Sequence, residues 1–205
     1  WRELIKIGDI TVNKQGIAPN YELKEDDIVH TLRKDVQEPD VNEGIQVIYE
    51  KGGILVLNKP APLPVHPAGR YFKNSLLSIL KEQRPNTSFH TIHRLDKWTT
   101  GVLVMATERK ASRLLHMQVE KKQNKKAYGV LALGDFGDKP FTIDEDIGRV
   151  DGAHRGTGAG ITEARESVTE FTPIAKNGEV TLLKAVPITG RTNQIRVHVQ
   201  AAGGN

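Results

Sequence analysis

The chain of 205 residues contains no cysteine, and this absence excludes several classes of protein. Without thiols it has no disulfide scaffold, no thiolate zinc site and no cysteine nucleophile. A cysteine-free sequence fits a reducing compartment, so we expect an intracellular protein. No apolar run approaches the ~18 residues that a membrane-spanning helix requires, so the sequence predicts no membrane span.

Aromatic residues are also scarce, at 5% of the chain, which argues against a sheet that binds RNA mainly by base stacking. Charge is plentiful but uneven, with 29 Lys and Arg against 25 Asp and Glu. Residues 20–50 hold 9 acidic and 3 basic side chains, so the rest of the chain carries a net charge of +10. This basic body favours a polyanion such as nucleic acid as the partner.

The hydrophobic pattern predicts more strands than helices. We expect strands at 45–50, 54–59, 101–106, 127–133, 163–174 and 179–186. We expect helices over 2–7 and 74–83, from a Thr107 cap to about Asn124, and from near Thr192 onward. Most connections are too short for parallel crossovers, so we predict an α+β fold with a mixed, largely antiparallel sheet and flanking helices.

Three patterns have ordinary explanations. The glycine-rich stretch 152–160 does not complete a dinucleotide-binding motif, and we predict a mobile surface loop. His90 and His93 are spaced like metal ligands, but no partner motif accompanies them, which favours ordinary histidines. Segment 109–126 is strongly basic and predicts either a solvated face or a helix that contacts phosphates or a membrane surface.

One segment, residues 93–101, contains charged side chains that could take part in catalysis. In His93-Arg94-Leu95-Asp96-Lys97-Trp98-Thr99-Thr100-Gly101, an aspartate lies between two cations just before an apolar strand. A carboxylate there is costly unless it has a partner or a task. Two interpretations stand equal on the residues alone: Arg94 and Asp96 satisfy each other in a loop, or Asp96 is catalytic.

The segment HRLDKWTTGVLVMA resembles the catalytic motif of the RluA-type pseudouridine synthases, HRLD-x-x-T-S-G followed by apolar residues. Three more segments follow in that family's order: NKPAPLPVHP at 58–67, KAYGVLALG at 126–134 and TGRTNQIRVHV at 189–199. The chain departs from the pattern at Thr100, where Ser is usual, and at Asn193, where many members have His. It also ends at Asn205, where members continue.

The resemblance implies a domain organisation. Residues 1–36 resemble the second half of an alpha-L RNA-binding domain, 37–44 form a linker, and 45–205 form a C-terminally truncated catalytic domain of the pseudouridine synthase fold. Segments 28–41 and 65–74 look most like eukaryotic members that act on the tRNA anticodon stem-loop. The implied activity is isomerisation of a flipped uridine in structured RNA, most of all tRNA, by a monomer with no cofactor, metal or membrane.

The resemblance also implies roles for individual residues. Asp96 is the catalytic carboxylate, by attack on the anomeric carbon or by removal of a neighbouring proton, and both remain open. Arg196 is expected to be partly buried and ion-paired with Asp96. Tyr128 is expected to lie against the target base and to take the leftover ring proton. Arg94 would displace the base.

The remaining predicted RNA contacts are basic side chains that would bind phosphates: Lys59, Arg109, Lys110, Arg113, Lys121, Lys122, Lys125 and Lys126. Two other functions stay open. One is a non-catalytic RNA-binding or RNA-folding protein on the same fold. The other is a glycosidic hydrolase, which needs a second acid ~5–10 Å from Asp96 that no matched motif supplies.

Overall fold

The structure is a computed structural model that describes residues 1–32, 37–152 and 154–204. The predicted end of the N-terminal segment at residue 36 and the last residue, Asn205, lie outside the described residues. The helices in chain order are α1 (Arg2–Lys6), α2 (Leu76–Gln83), α3 (Arg109–Glu120) and α4 (Gln194–Ala201). The strands in chain order are β1 (Ile10–Val12), β2 (Gln15–Gly16), β3 (Val29–Thr31), β4 (Gln46–Lys51), β5 (Ile54–Lys59), β6 (His90–Thr91), β7 (Gly101–Ala106), β8 (Tyr128–Leu133), β9 (Phe141–Asp144), β10 (Ile147–Arg149), β11 (Arg155–Gly156), β12 (Thr162–Arg165), β13 (Val168–Asn177) and β14 (Val180–Pro187).

The chain divides into two compact units. The first comprises Trp1–Gln46, Asn58–Thr87 and Lys97–Gly101, and the second comprises Val47–Leu57, Ser88–Asp96 and Val102–Asn205. The first unit contains α1, α2 and a small antiparallel sheet in the order β2-β1-β3. The assignment of this N-terminal sheet to an alpha-L domain, and the domain boundaries, stay predictions.

Glu38 ties the predicted linker to the loop that leads into α2. Its carboxylate accepts hydrogen bonds from the backbone N–H groups of Phe72, Lys73 and Asn74, each at 2.8 Å. The amide of Asn74 donates in return to the carbonyl of Pro39 at 2.8 Å. These backbone donors, that of Lys73 foremost, hold the pKa of Glu38 below its ordinary value because they stabilise the charged form.

The second unit is built around a four-stranded antiparallel sheet in the order β8-β14-β13-β9. Phe171 on β13 is buried and stacks on Phe141 of β9, with ring centroids 5.1 Å apart. Val199 and Ile195 of α4 pack into the same cluster. The helix that carries Arg196 is therefore held against this sheet by apolar contacts.

A second four-stranded sheet has the order β4-β5-β7-β6, and β6 pairs antiparallel with β7. A smaller apolar cluster forms around Ala106 and Ala111, and Leu115 and Val119 of α3 pack on it. Residues 111, 115 and 119 are four apart and share one helix face, so α3 docks through that face and presents its basic residues on the others.

The structure confirms the predicted α+β class with mostly antiparallel sheets. The predicted helix from Thr107 to Asn124 was wrong at both ends. The N–H of Thr107 donates to the carbonyl of Gly53 at 2.8 Å and keeps Thr107 outside α3, so Glu108 is the N-cap. The helix stops at Glu120, and Lys122 has a left-handed φ of 52°. The predicted loop at 152–160 contains strand β11.

We predict that Glu38→Gln lowers the thermal unfolding midpoint at pH 7, because the neutral amide is a weaker acceptor for three backbone donors. The folded-state pKa of Glu38 is lowered, so its contribution is present above the unfolded pKa of about 4.3 and is lost as the pH falls through the folded value. The difference from wild type should therefore shrink at about pH 3. Glu43→Gln, in the same segment, is the matched control. An equal loss at both pH values would contradict the account.

Candidate active site

The loop between β6 and β7 is held in place by His93 and Leu95. The ring Nε2 of His93 accepts a hydrogen bond from the backbone N–H of Val104 at 3.1 Å. Burial, followed by the charge of Lys126, lowers the pKa of His93, so the ring stays neutral and keeps this acceptor. The side chain of Leu95 is buried. The residue that follows, Asp96, is therefore carried by a loop with little freedom.

Asp96 is half-buried, and its charge reaches the phenol of Tyr128. Tyr128 is the first residue of β8, lies opposite Ala185 of β14, and packs against the apolar cluster of that sheet. Burial raises the pKa of Tyr128, and the negative charge of Asp96 raises it further. The structure thus brings these two predicted residues together, with Tyr128 as a neutral phenol at pH 7.

Arg196 does not have the predicted environment. Its side chain is exposed, whereas Val197, His198 and Val199 are buried. The apolar neighbours in sequence led to the wrong prediction of burial, because successive residues of a helix point about 100° apart. Across residues 1–32, 37–152 and 154–204, no ion pair joins Arg196 to Asp96. Arg94 is exposed as well.

The start of α4 is fixed by Gln194, a buried residue that sequence analysis did not single out. Its Oε1 accepts hydrogen bonds from the hydroxyl of Thr189 and the backbone N–H of Arg191, both at 2.8 Å. Its Nε2 donates to the carbonyl of Val168 and to the hydroxyl oxygen of Thr169, both at 2.9 Å. All the hydrogen-bonding groups of this amide are used, so it locks the turn before α4 onto β13.

His198 completes this buried network from the next turn of α4. Its Nδ1 lies 2.9 Å from the hydroxyl of Thr169, and its Nε2 lies 3.1 Å from the carbonyl of Glu145. Burial lowers the pKa of His198, which favours the neutral ring. Both Gln194 and His198 belong to the quoted segment TGRTNQIRVHV, which was the available signal for them.

The departure from the family pattern at Asn193 has a backbone explanation. Asn193 is the N-cap of α4 and has a left-handed φ of 59°. Asparagine adopts this conformation at lower cost than most residues. The substitution therefore preserves the turn that begins α4.

The predicted phosphate contact by Lys59 was wrong. Lys59 is fully buried, and its ammonium donates to the carbonyls of Pro60 and Leu63 at 2.9 and 2.8 Å. The same ammonium lies 3.4 Å from the carbonyl of Lys97. A cation in this position satisfies buried carbonyls and cannot reach an RNA phosphate. It fixes the backbone immediately after Asp96.

The cation that follows Asp96 is also engaged. The Nζ of Lys97 donates to the hydroxyl of Tyr71 at 3.0 Å and lies over the rings of Tyr71 and Trp98, 5.0 and 4.8 Å from their centroids. These contacts hold Lys97 among aromatic rings.

The basic segment presents most of its cations to solvent. The exposed members are Arg109, Lys110, Arg113, Lys121, Lys122 and Lys125, whereas Lys126 is half-buried and acts on His93. Across the described residues, no group of three or more metal-binding side chains is assembled, and no helix has both the length and the apolar character to cross a membrane.

Comparison with known proteins agrees with the order of the motifs. The family model described as RNA pseudouridylate synthase matches residues 53–201, which include Asp96, Tyr128 and Arg196. Mouse pseudouridylate synthase RPUSD2 is 31% identical over 200 residues, covering 97% of this chain and 36% of that protein. Ribosomal large subunit pseudouridine synthase C of Buchnera aphidicola is 34% identical over 211 residues, covering 96% and 66%.

The structural comparison agrees. Human RNA Pseudouridylate Synthase Domain Containing 1 superposes with a TM-score of 0.69 at 26% identity, over 82% of this chain and 69% of that chain. The chain spans 36% of the mouse relative and 66% of the bacterial one. The matched family model covers well over half of the chain, and the fold is shared. The chain therefore belongs to the RNA pseudouridylate synthase family.

Proposed function

We propose that this chain isomerises a uridine in structured RNA to pseudouridine. The N1–C1′ glycosidic bond breaks, a C5–C1′ bond forms, the ring carbon loses a proton and N1 gains one. Atoms and electrons balance without an oxidant, a reductant or a second substrate. The observation that carries the proposal is the half-buried Asp96, whose charge helps raise the pKa of the half-buried Tyr128 phenol, in a chain that belongs to the RNA pseudouridylate synthase family.

Asp96 is the proposed reacting carboxylate. As an anion it can attack C1′ and release the uracil, or remove a proton beside C1′, and both routes give the same net isomerisation. Each route needs the loop to hold the carboxylate still against the sugar. The hydrogen bond from the backbone N–H of Val104 to the ring of His93, three residues before Asp96, supplies that restraint.

Tyr128 is the proposed support for the uracil ring. Its half-buried ring offers an apolar surface for stacking. Its raised pKa keeps the hydroxyl protonated, so it is not a free base for the C5 proton. The Tyr128 hydroxyl can still accept the C5 proton if it donates its own proton to a carboxylate. Asp96 is the carboxylate whose charge acts on Tyr128.

We propose that Arg94 and Arg196 make their functional contacts only when RNA is bound. Arg94 is exposed and adjacent to the catalytic loop, where it can fill the space of a base that leaves its stack. Unstacking costs a few kcal/mol, which such a contact offsets. Arg196 is exposed in the free protein, so we place its pairing with Asp96 in the RNA complex, where water is excluded.

For the substrate we propose tRNA, with its anticodon stem-loop as the first region to test. This rests on the resemblance of segments 28–41 and 65–74 to members that act there. The exposed basic segment 109–126 would bind the phosphates of the stem. One relative is named as a pseudouridine synthase of the large ribosomal subunit, so ribosomal RNA is the second substrate to test beside tRNA.

We predict that Asp96→Asn abolishes pseudouridine formation, with a fall of about 10³-fold or more, because the amide is neither a nucleophile nor a base. Binding of the same RNA should change less than about twofold, since the two side chains have the same shape. Tritium release from 5-labelled uridine in transcribed tRNA measures the rate, with Glu120→Gln as control. Undiminished formation in Asp96→Asn would remove the catalytic assignment, and release of free uracil by wild type would indicate a hydrolase.

We predict that Tyr128→Phe slows the reaction while RNA affinity is kept, because the stacking ring remains and the hydroxyl is lost. The raised pKa of Tyr128 predicts that the wild-type rate declines only above the ordinary tyrosine pKa of about 10. The variant should lack that alkaline decline. A pH profile of the single-turnover rate tests this, and a full-rate Tyr128→Phe enzyme would refute the role.

We predict that the triple variant Arg109→Gln, Lys110→Gln and Arg113→Gln binds tRNA more weakly and with less dependence on salt. Each phosphate contact contributes about 0.7–0.9 to the slope of log affinity against log salt, so the slope should fall by about 2. Filter binding over a salt series measures it. A slope identical to that of wild type would show that this face of α3 is merely solvated.

A further inference from the structure

A cleft of about 300 Å³ lies at the small sheet β11-β10-β12 and is lined by four arginines that the sequence analysis did not single out. We name it the arginine cleft and define it by Arg149, Arg155, Arg165, Arg191 and Glu163. Glu163 is the one acid among the residues that line it. The lining therefore carries a net charge of +3.

Two arginines of the cleft face each other on neighbouring strands, which is electrostatically unfavourable. Arg149 on β10 lies directly opposite Arg155 on β11, and such pairs destabilise a sheet. The Nε of Arg149 lies 3.3 Å from a carboxylate oxygen of Glu163, and both side chains are largely solvent-exposed. Within the described part of the chain, Arg155 and Arg165 form no ion pair. The free protein thus keeps more positive charge here than its own acids offset.

Arg191 is oriented by the fold. Its Nε donates to the carbonyl of Glu166 at 3.0 Å, and its backbone N–H is held by the buried amide of Gln194 at 2.8 Å. Arg191 is half-buried, and its hydrogen bond uses Nε, so the guanidinium is oriented without engaging its terminal nitrogens in that bond. Such a preorganised fork matches the oxygens of a phosphate.

The backbone of the cleft is closely packed. A Cβ at Gly148 of β10 would lie 2.6 Å from the carbonyl of Thr162 and 2.9 Å from the Cβ of Ile161. Because neither contact has room for a side chain, β10 and β12 lie at close approach. Arg149 on β10 and Arg165 on β12 therefore project from two strands whose backbones are held close together.

We propose that the arginine cleft binds backbone phosphates of the RNA substrate. This rests on the proposed function for the identity of the ligand. The cleft adds an RNA contact made of residues outside Asp96, Tyr128 and segment 109–126. Guanidinium groups that converge on one concavity suit the closely spaced charges of a sugar–phosphate chain.

The test measures binding of unfractionated tRNA to the double variant Arg155→Gln and Arg165→Gln. We expect affinity to fall about tenfold for each arginine, and the salt slope to fall by about 1.5, because two phosphate contacts are lost. The matched control Lys51→Gln and Lys139→Gln removes the same charge from exposed positions outside the cleft, and it should leave the affinity within about twofold and the salt slope unchanged.

A second variant separates binding from misfolding. Glu163→Gln removes the acid that pairs with Arg149, so it should tighten tRNA binding several-fold and steepen the salt slope. Without RNA, the double arginine variant should unfold at the wild-type temperature or higher, because the opposed like charges are relieved. Weaker tRNA binding by Glu163→Gln would contradict the proposal.

If the double variant kept the wild-type affinity for tRNA and the wild-type salt slope, the proposal that the arginine cleft binds RNA would be overturned. If inorganic phosphate raises the unfolding midpoint of wild type but not of the double variant, while tRNA affinity is equal, the site takes free phosphate and the proposal also fails.

The failure of the cleft proposal can be distinguished from the failure of the proposed function. If the cleft variants lose tRNA binding but wild type forms no pseudouridine, only the function fails. If pseudouridine forms and the double variant binds as wild type does, only the cleft fails.

Discussion

The negative charge of Asp96 acting on the phenol of Tyr128 is the interaction on which this account depends. Both side chains are half-buried, so less water screens them than at an exposed surface. Burial and the neighbouring charge of Asp96 both raise the pKa of Tyr128, which keeps its phenol neutral at pH 7. A neutral phenol within the electrostatic influence of a carboxylate is an arrangement suited to proton transfer.

Polar side chains with little exposure to solvent hold the loop before Asp96, the segment that begins at Lys97, and helix α4. The neutral ring of His93 receives the N–H of Val104, and the ammonium of Lys59 closes three carbonyls, one of them that of Lys97. Gln194 forms two hydrogen bonds to β13 and two to the turn that precedes α4. The ammonium of Lys59 and the amide of Gln194 have protein partners for their polar groups, so their burial favours one arrangement of the loops that they hold.

Sequence patterns predicted what depends on local order. The strands at 54–59 and 101–106 follow from apolar runs. The resemblance to family motifs predicted that Asp96 and Tyr128 belong to one site, and the charge of Asp96 does act on the phenol of Tyr128. Sequence patterns did not predict that Lys59 is buried, because a lysine that caps carbonyls has the same sequence signature as one on a surface. The exposure of Arg196 was missed because flanking apolar residues do not fix a helix face. The arginine cleft was missed because its arginines are scattered among polar and glycine residues, and they converge only when β11 and β12 pair with β10.

The central claim is tested most directly by mapping pseudouridine across total RNA from cells that lack this protein, with wild type and Asp96→Ala returned to separate cultures. The account predicts that at least one pseudouridine disappears, that wild type restores it, and that Asp96→Ala, present at the same level, does not. Restoration by Asp96→Ala, or an unchanged map in the absence of the protein, would contradict it.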